Sequence, residues 1–275
     1  MLRLLHPIHP PATEFPARVR TSEGGRPIYS PLTHLRYLTL LALLSSASSL
    51  NAQAACSEEV KLLLSPTQTQ SAVRALDAGK ETRGRVYFYD TPTLDLLSQG
   101  MILRLREGAK LDLTTKFRPP SGQKFVDPSG GRYECEIDLN NGVENPSFSI
   151  QNAYAAIKPP QTGEELLRLL TDNQKQLLKD SNVKIDWKRI KRIAAIQSTS
   201  WTIAAQSPLG KLSLELWQFP NGSILEVTAK VTPDAGHATY LELQHLAKDH
   251  GLALDANQGP KTSTALTKIT ATQPR

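Results

Sequence analysis

The sequence holds 275 residues, with 32 basic and 26 acidic side chains and a formal charge of +6. Five of the arginines and two of the glutamates fall within residues 1–54, so the remainder carries only about +3. That mild charge gives no ground for a nucleic-acid partner, and about 220 residues suffice for one large domain or barrel.

The chain opens on a long Pro-rich lead. Arg36 then precedes the apolar run Tyr37–Leu44, which continues through Ser and Ala to Leu50. Asn51-Ala52-Gln53-Ala54 offers a small-x-small exit. A basic flank, a short apolar core and a small-residue exit make residues 1–54 a leader with a secretory signal. The apolar core falls short of the roughly 20 residues of a spanning helix. The expected product is exported, periplasmic or secreted, with no membrane span after cleavage. Residues 55–255 then form the folded domain and 256–275 a polar tail.

From Ser57 to Leu64 the spacing predicts a strand with Ser57, Glu59 and Lys61 on one face and Glu58, Val60 and Leu62 on the other. A helix is expected over about 68–78, closed by Gly79. The stretch Tyr87–Arg118 reads as strand, turn, short helix, strand, turn, strand. After Asp90-Thr91-Pro92 a helical turn carrying Leu94, Leu96 and Leu97 stops at Gly100. Arg104 and Arg106 then share one strand face, with Leu103 and Leu105 opposite. Lys116 and Arg118 share a face of the next strand. Four cations on neighbouring strands fit either a solvated sheet face or a wall that binds an anion.

Ser121–Gly131 is a loop. Beyond it, Arg132–Leu139 places Glu134, Glu136 and Asp138 together, a stack of carboxylates that calls for cations or a metal unless it is solvated. Period two sets Cys56 and Cys135 on the face away from these carboxylates, where they form either an interstrand disulfide or two free thiols. Asn140–Pro160 reads as irregular. Capping boxes at Thr162/Glu165 and Thr171/Gln174 start two helices. A strand over 193–203 follows the basic run Lys188–Arg192, with Arg192 expected inward. Lys211–Phe219 and Ser223–Val231 form a hairpin about Asn221-Gly222, with Glu226 and Lys230 on one face. A helix over about 238–249 ends at Gly251, and the tail beyond Asp255 is expected to be disordered at its end.

Antiparallel strands whose charges recur at period two fit either an ordinary sandwich with its polar face outward or a barrel with its polar face inward and helices covering an apolar outside. The segment YFYDTPTLDLLSQGMILRLREG resembles the signature of the CYTH domain, the triphosphate tunnel metalloenzyme family. LTTKFR, YECEIDL and ILEVTAK follow in the family's order, so that the similarity covers most of 57–255. The resemblance implies an α+β fold, a closed eight-stranded antiparallel β-barrel tunnel with flanking helices. It also implies a phosphohydrolase of triphosphates that depends on Mg²⁺ or Mn²⁺. By motif, Glu59 and Lys61 match the second acid and the Lys of an ExExK strand. Arg104, Arg106, Lys116, Arg118, Arg192 and Lys230 match phosphate-binding positions, Glu59, Glu134, Glu136 and Glu226 metal ligands, and Lys61 and Glu136 the candidate catalytic groups. Ser57 departs from the pattern, since an acid is expected there. Either a bulge brings Glu58 inward or the site lacks one ligand. The alternative to an enzyme is an exported module that grips polyphosphate without turnover.

Overall fold

The computed structural model describes residues 56–206, 209–232 and 234–272; the expected leader lies outside them. Nine strands close into a barrel: β1 (Ser57–Leu64), β2 (Ala78–Asp90), β3 (Met101–Glu107), β4 (Asp112–Phe117), β5 (Glu134–Asn140), β6 (Val143–Ala153), β7 (Lys191–Gln206), β8 (Gly210–Phe219) and β9 (Gly222–Val231). Around the barrel the order is β1, β5, β6, β4, β3, β2, β7, β8, β9, and β9 pairs back to β1.

This corrects the expectation of eight antiparallel strands. The added strand is β6, in the stretch Asn140–Pro160 that reads as irregular because Asn140-Asn141-Gly142 and Lys158-Pro159-Pro160 are breakers. Asn141 and Gly142, both at positive φ, make the tight turn that pairs β6 with β5. The count has a topological consequence. A ring of nine cannot alternate in direction all the way round, so one neighbouring pair must be parallel. That pair is β1 and β5.

Alternation sorts the side chains. Val60, Leu62 and Leu64 face outward and pack under α1 (Thr69–Ala75) and α5 (Gly236–Asp249). Tyr87, Leu103, Leu105 and Leu113 face outward under α3 (Gly163–Leu169) and α4 (Asp172–Asp180). Both of these helices begin at the expected capping boxes. Between β2 and β3 the short α2 (Asp95–Ser98) is fixed by Asp90, whose buried carboxylate accepts hydrogen bonds from the amides of Thr91, Leu96 and Leu97 at 2.6–2.9 Å. The chain leaves this turn through Gly100 at φ 81°, where a Cβ would lie 1.9 Å from the Arg118 carbonyl oxygen.

One end of the barrel is plugged. Leu63, Phe88, Ile102, Trp217 and Ile224 point inward near the strand ends that meet there, and they pack around Ala265, Leu266 and Ile269 of a sixth helix, α6 (Lys261–Ala271). Phe88 and Trp217 meet edge to face at 5.7 Å. Each fully buried apolar side chain of that plug contributes about 1.5–3 kcal/mol. The expected disordered tail is therefore largely a helix inside the barrel mouth. Its signal is the stripe Thr262, Ala265, Leu266, Ile269, spaced at helical period after Pro260. No helix among the described residues is long and apolar enough to cross a membrane.

Candidate active site in the barrel

Above the plug the barrel encloses a cavity of about 250 Å³. The inward positions of successive strands line it: Glu59 and Lys61 from β1, Arg104 and Arg106 from β3, Lys116 from β4, and Glu134 and Glu136 from β5. Arg118 just past β4, Glu215 from β8, and Glu226 and Lys230 from β9 complete the charged lining. A second cavity of about 320 Å³ shares Arg106, Gln151 and Glu215 with it and opens beside Gly84 and Glu107. Every sequence-predicted site residue except Arg192 and the two cysteines thus faces one space.

The charges fall into three groups. In the first, Asp138 is fully buried and surrounded by cations. It pairs with Lys61, with Lys116 at 3.3 Å and with Arg118, whose Nε donates at 3.1 Å. Burial opposes its ionisation, but Lys61, Arg118 and Lys116 together hold its carboxyl far below the usual range. Lys116 also pairs with Glu136 at 2.9 Å. Lys116 and Arg118 therefore have their charge matched from within the protein.

In the second group, Glu59 and Glu136 stand beside each other, and each is within reach of a lysine; Lys61 lies 2.7 Å from Glu59. Burial, and then the nearness of Glu136 against the opposing Lys61, raises the Glu59 carboxyl above its ordinary value, and the two carboxyls share a hydrogen bond. Glu136 is held down to about 2 because Lys116 and Lys61 outweigh its burial and Asp138. Glu59, Glu136 and Asp138 each offer an oxygen within 4.8 Å of the others. Since Asp138 is already enclosed by three cations, Glu59 and Glu136 are the pair available to a divalent ion. Carboxylate oxygens suit a hard ion such as Mg²⁺ or Mn²⁺. Glu134 lies exposed at the mouth, and Lys230, its side chain 70% exposed, reaches to 3.9 Å from Glu59.

The third group makes no direct ion pair, although Asp112 and Glu215 favour the Arg104 charge and Arg106 that of Glu215 from a distance. Arg104 and Arg106 sit side by side, the Nε of each buried without a hydrogen-bond partner, and among the described residues neither makes an ion pair. Burial first and Arg106 second lower Arg104 to about 10, still charged at neutral pH. Two guanidiniums left unpaired in a cavity form a binding wall for an anion, with the forked geometry that suits phosphate.

Three expectations are corrected. Arg192 faces outward, with its guanidinium 5.2 Å from the centre of the Tyr87 ring. An extra residue in β7 shifts the register between Phe88 and Tyr89 of β2, so that Arg192 opposes Tyr89 instead of following the inward parity. No bulge brings Glu58 inward. The β1 register is regular, and Glu58 is buried on the outer face, where its carboxylate accepts the Gly236 amide at 3.0 Å at the start of α5. A Cβ on Gly236 would come within 1.9 Å of that carboxylate. Ser57 itself hydrogen-bonds the Cys135 carbonyl at 3.3 Å. Glu226, finally, lines the cavity but is engaged at 2.5 Å by Lys261 and so is no free ligand. The open question of the cysteines resolves as a disulfide between Cys56 and Cys135, which ties β1 to β5 beside the acidic pair.

Several lining residues were invisible to strand reasoning. Ser149 and Gln151 come from the unrecognised β6, and Pro260, Lys261 and Thr262 from the start of α6.

No family model matches the chain, and no curated protein matches it. Solved structures do. A protein from Hippeastrum, described as an adenylyl cyclase candidate with a dominant triphosphatase activity, superposes with a TM-score of 0.54 at 19% identity, over 75% of this chain and 93% of its own. A candidate adenylate cyclase from Bacillus halodurans superposes with a TM-score of 0.52 at 15% identity, over 76% of this chain and 96% of its own. At these identities the likeness speaks to the fold alone: this chain shares the fold of these structures, here a closed barrel with its charges turned inward.

Proposed function

We propose that the protein is a metal-dependent phosphohydrolase of triphosphate-type substrates, inorganic or organic, working inside the barrel. The observation that carries this reading is the pair Arg104 and Arg106, half-buried and adjacent, each with a buried Nε lacking a hydrogen-bond partner and neither in an ion pair among the described residues, in one cavity with the Glu59–Glu136 pair. A chain of phosphates supplies the negative charge that such a wall lacks. The triphosphatase activity of the Hippeastrum protein is in keeping with it.

In this reading Arg104 and Arg106 bind phosphoryl oxygens through forked contacts and hold the phosphate chain in line. Lys230 draws the anion in at the mouth. Glu59 and Glu136 would hold the divalent ion, with Lys61 opposing the rise of Glu59 and Lys116 keeping Glu136 charged. When bound there, Mg²⁺ or Mn²⁺ neutralises charge that develops on the phosphoryl oxygens. The barrel wall encloses these charges in part, so they act more strongly than on an open surface.

We also propose that the protein is exported. The Cys56–Cys135 disulfide is in keeping with an oxidising compartment. Ser57, standing where the family pattern has an acid, favours a second reading: an anion-binding module without turnover. Phosphate release from tripolyphosphate separates the two. The enzyme reading expects release with Mg²⁺ or Mn²⁺ and none with EDTA, while tight tripolyphosphate binding without metal-dependent release selects the module.

A further inference from the structure

Glu215 and Glu226 face each other directly across β8 and β9, both inward. Like charges opposed in this way repel and are retained only if a cation lies between them. That cation comes from the far end of the sequence. Lys261, on the first turn of α6, places its Nζ 2.6 Å from Glu215 and 2.5 Å from Glu226. It also lies 4.6 Å from the centre of the Trp217 ring. The lysine is only 9% exposed.

We infer that Lys261 is a built-in counter-ion that takes the place of a divalent ion on the Glu215–Glu226 pair, so that the barrel binds metal at one carboxylate pair where it would otherwise bind at two. The inference rests on the reading of Glu59 and Glu136 as the ion site. A divalent ion takes carboxylate oxygens at about 2.0–2.6 Å, which is the shell that the ammonium already fills. At Glu59–Glu136 no single ammonium bridges both carboxylates: Lys61 serves one and Lys116 the other. The lysine cannot readily swing away, because Ala265, Leu266 and Ile269 anchor its helix in the apolar plug. Tethering keeps the ammonium at a high effective concentration beside its carboxylates. Ser198 donates to the other oxygen of Glu215 at 2.7 Å and so fixes that carboxylate toward the lysine.

The test counts Mn²⁺ bound per chain by equilibrium dialysis, with unbound Mn²⁺ read by electron paramagnetic resonance. Lys261→Met keeps the length of the side chain and removes its charge. It is expected to bind one more ion than the unaltered chain, and adding Glu226→Gln is expected to remove that extra ion. An ion count in Lys261→Met equal to that of the unaltered chain overturns the inference. The unaltered chain's own count tests the Glu59–Glu136 site separately: no ion there, but one in Lys261→Met, would refute that site and support the role of Lys261. If circular dichroism shows Lys261→Met unfolded, Glu226→Gln alone decides. An unchanged ion count supports the inference, and loss of a bound ion overturns it.

Discussion

Two cationic groups share the inside of this barrel. Around Asp138, three cations enclose one carboxylate. At Arg104 and Arg106, two guanidiniums make no ion pair among the described residues and feel Asp112 and Glu215 only from a distance. Both groups come from alternating strands, yet the first is closed on itself while the second makes no ion pair, as the proposed anion site requires. What separates structure from function here is charge balance, which only the three-dimensional arrangement reveals.

The largest expected effect breaks the closed group. Asp138→Asn leaves Lys61, Lys116 and Arg118 without their shared anion and should cost about 3–5 kcal/mol of stability, the usual loss when one partner of a buried ion pair is removed. A urea titration measures it. pH sharpens the point. The folded-state pKa of Asp138 is depressed, so its contribution is fully present above the unfolded value near 4 and is lost as pH falls below it. The unaltered protein should therefore lose stability steeply below about pH 4, and Asp138→Asn should flatten that slope.

Next comes the open group. Arg104→Ala removes a cation that makes no ion pair among the described residues, so its stability should hold. Its turnover of tripolyphosphate should fall about a hundred- to a thousandfold, as for loss of a preorganised charge-stabilising donor. Steady-state phosphate release together with a thermal melt gives both readings. A variant that loses stability and keeps turnover would merge the two groups into one structural class.

The strand pattern made much of this legible. Period-two charges on β1, β3, β4 with its end, β5 and β9 place ten of the expected site residues around the cavity because regular strands keep their parity. Parity fails where the backbone is irregular. One extra residue in β7 turns Arg192 outward, and the flanking breakers hide a strand that supplies Ser149 and Gln151. Lys261 was missed for another reason: its helix is polar in composition, and its buried stripe is small and rich in Thr and Ala. The charge partners of Asp138 could not be read at all, since they lie on three separate strands or their ends.

A smaller effect concerns the acid displaced from the family pattern. Glu58→Ala removes the carboxylate at the start of α5 and should cost about 0.5–2 kcal/mol, the range for loss of a helix cap. Metal-dependent turnover should remain, because Glu58 faces away from the cavity. Thermal melts and Mn²⁺ titrations check the two halves of this expectation.

The central claim is that Arg104 and Arg106 await a phosphate chain held with a divalent ion on Glu59 and Glu136. Its most direct test is tripolyphosphate hydrolysis by the purified protein, with Mg²⁺ or Mn²⁺ and with EDTA, alongside Arg104→Ala and Glu136→Gln. The account predicts metal-dependent release that EDTA abolishes and that each substitution reduces by at least about a hundredfold. Release that persists in EDTA, or that survives both substitutions, would contradict it.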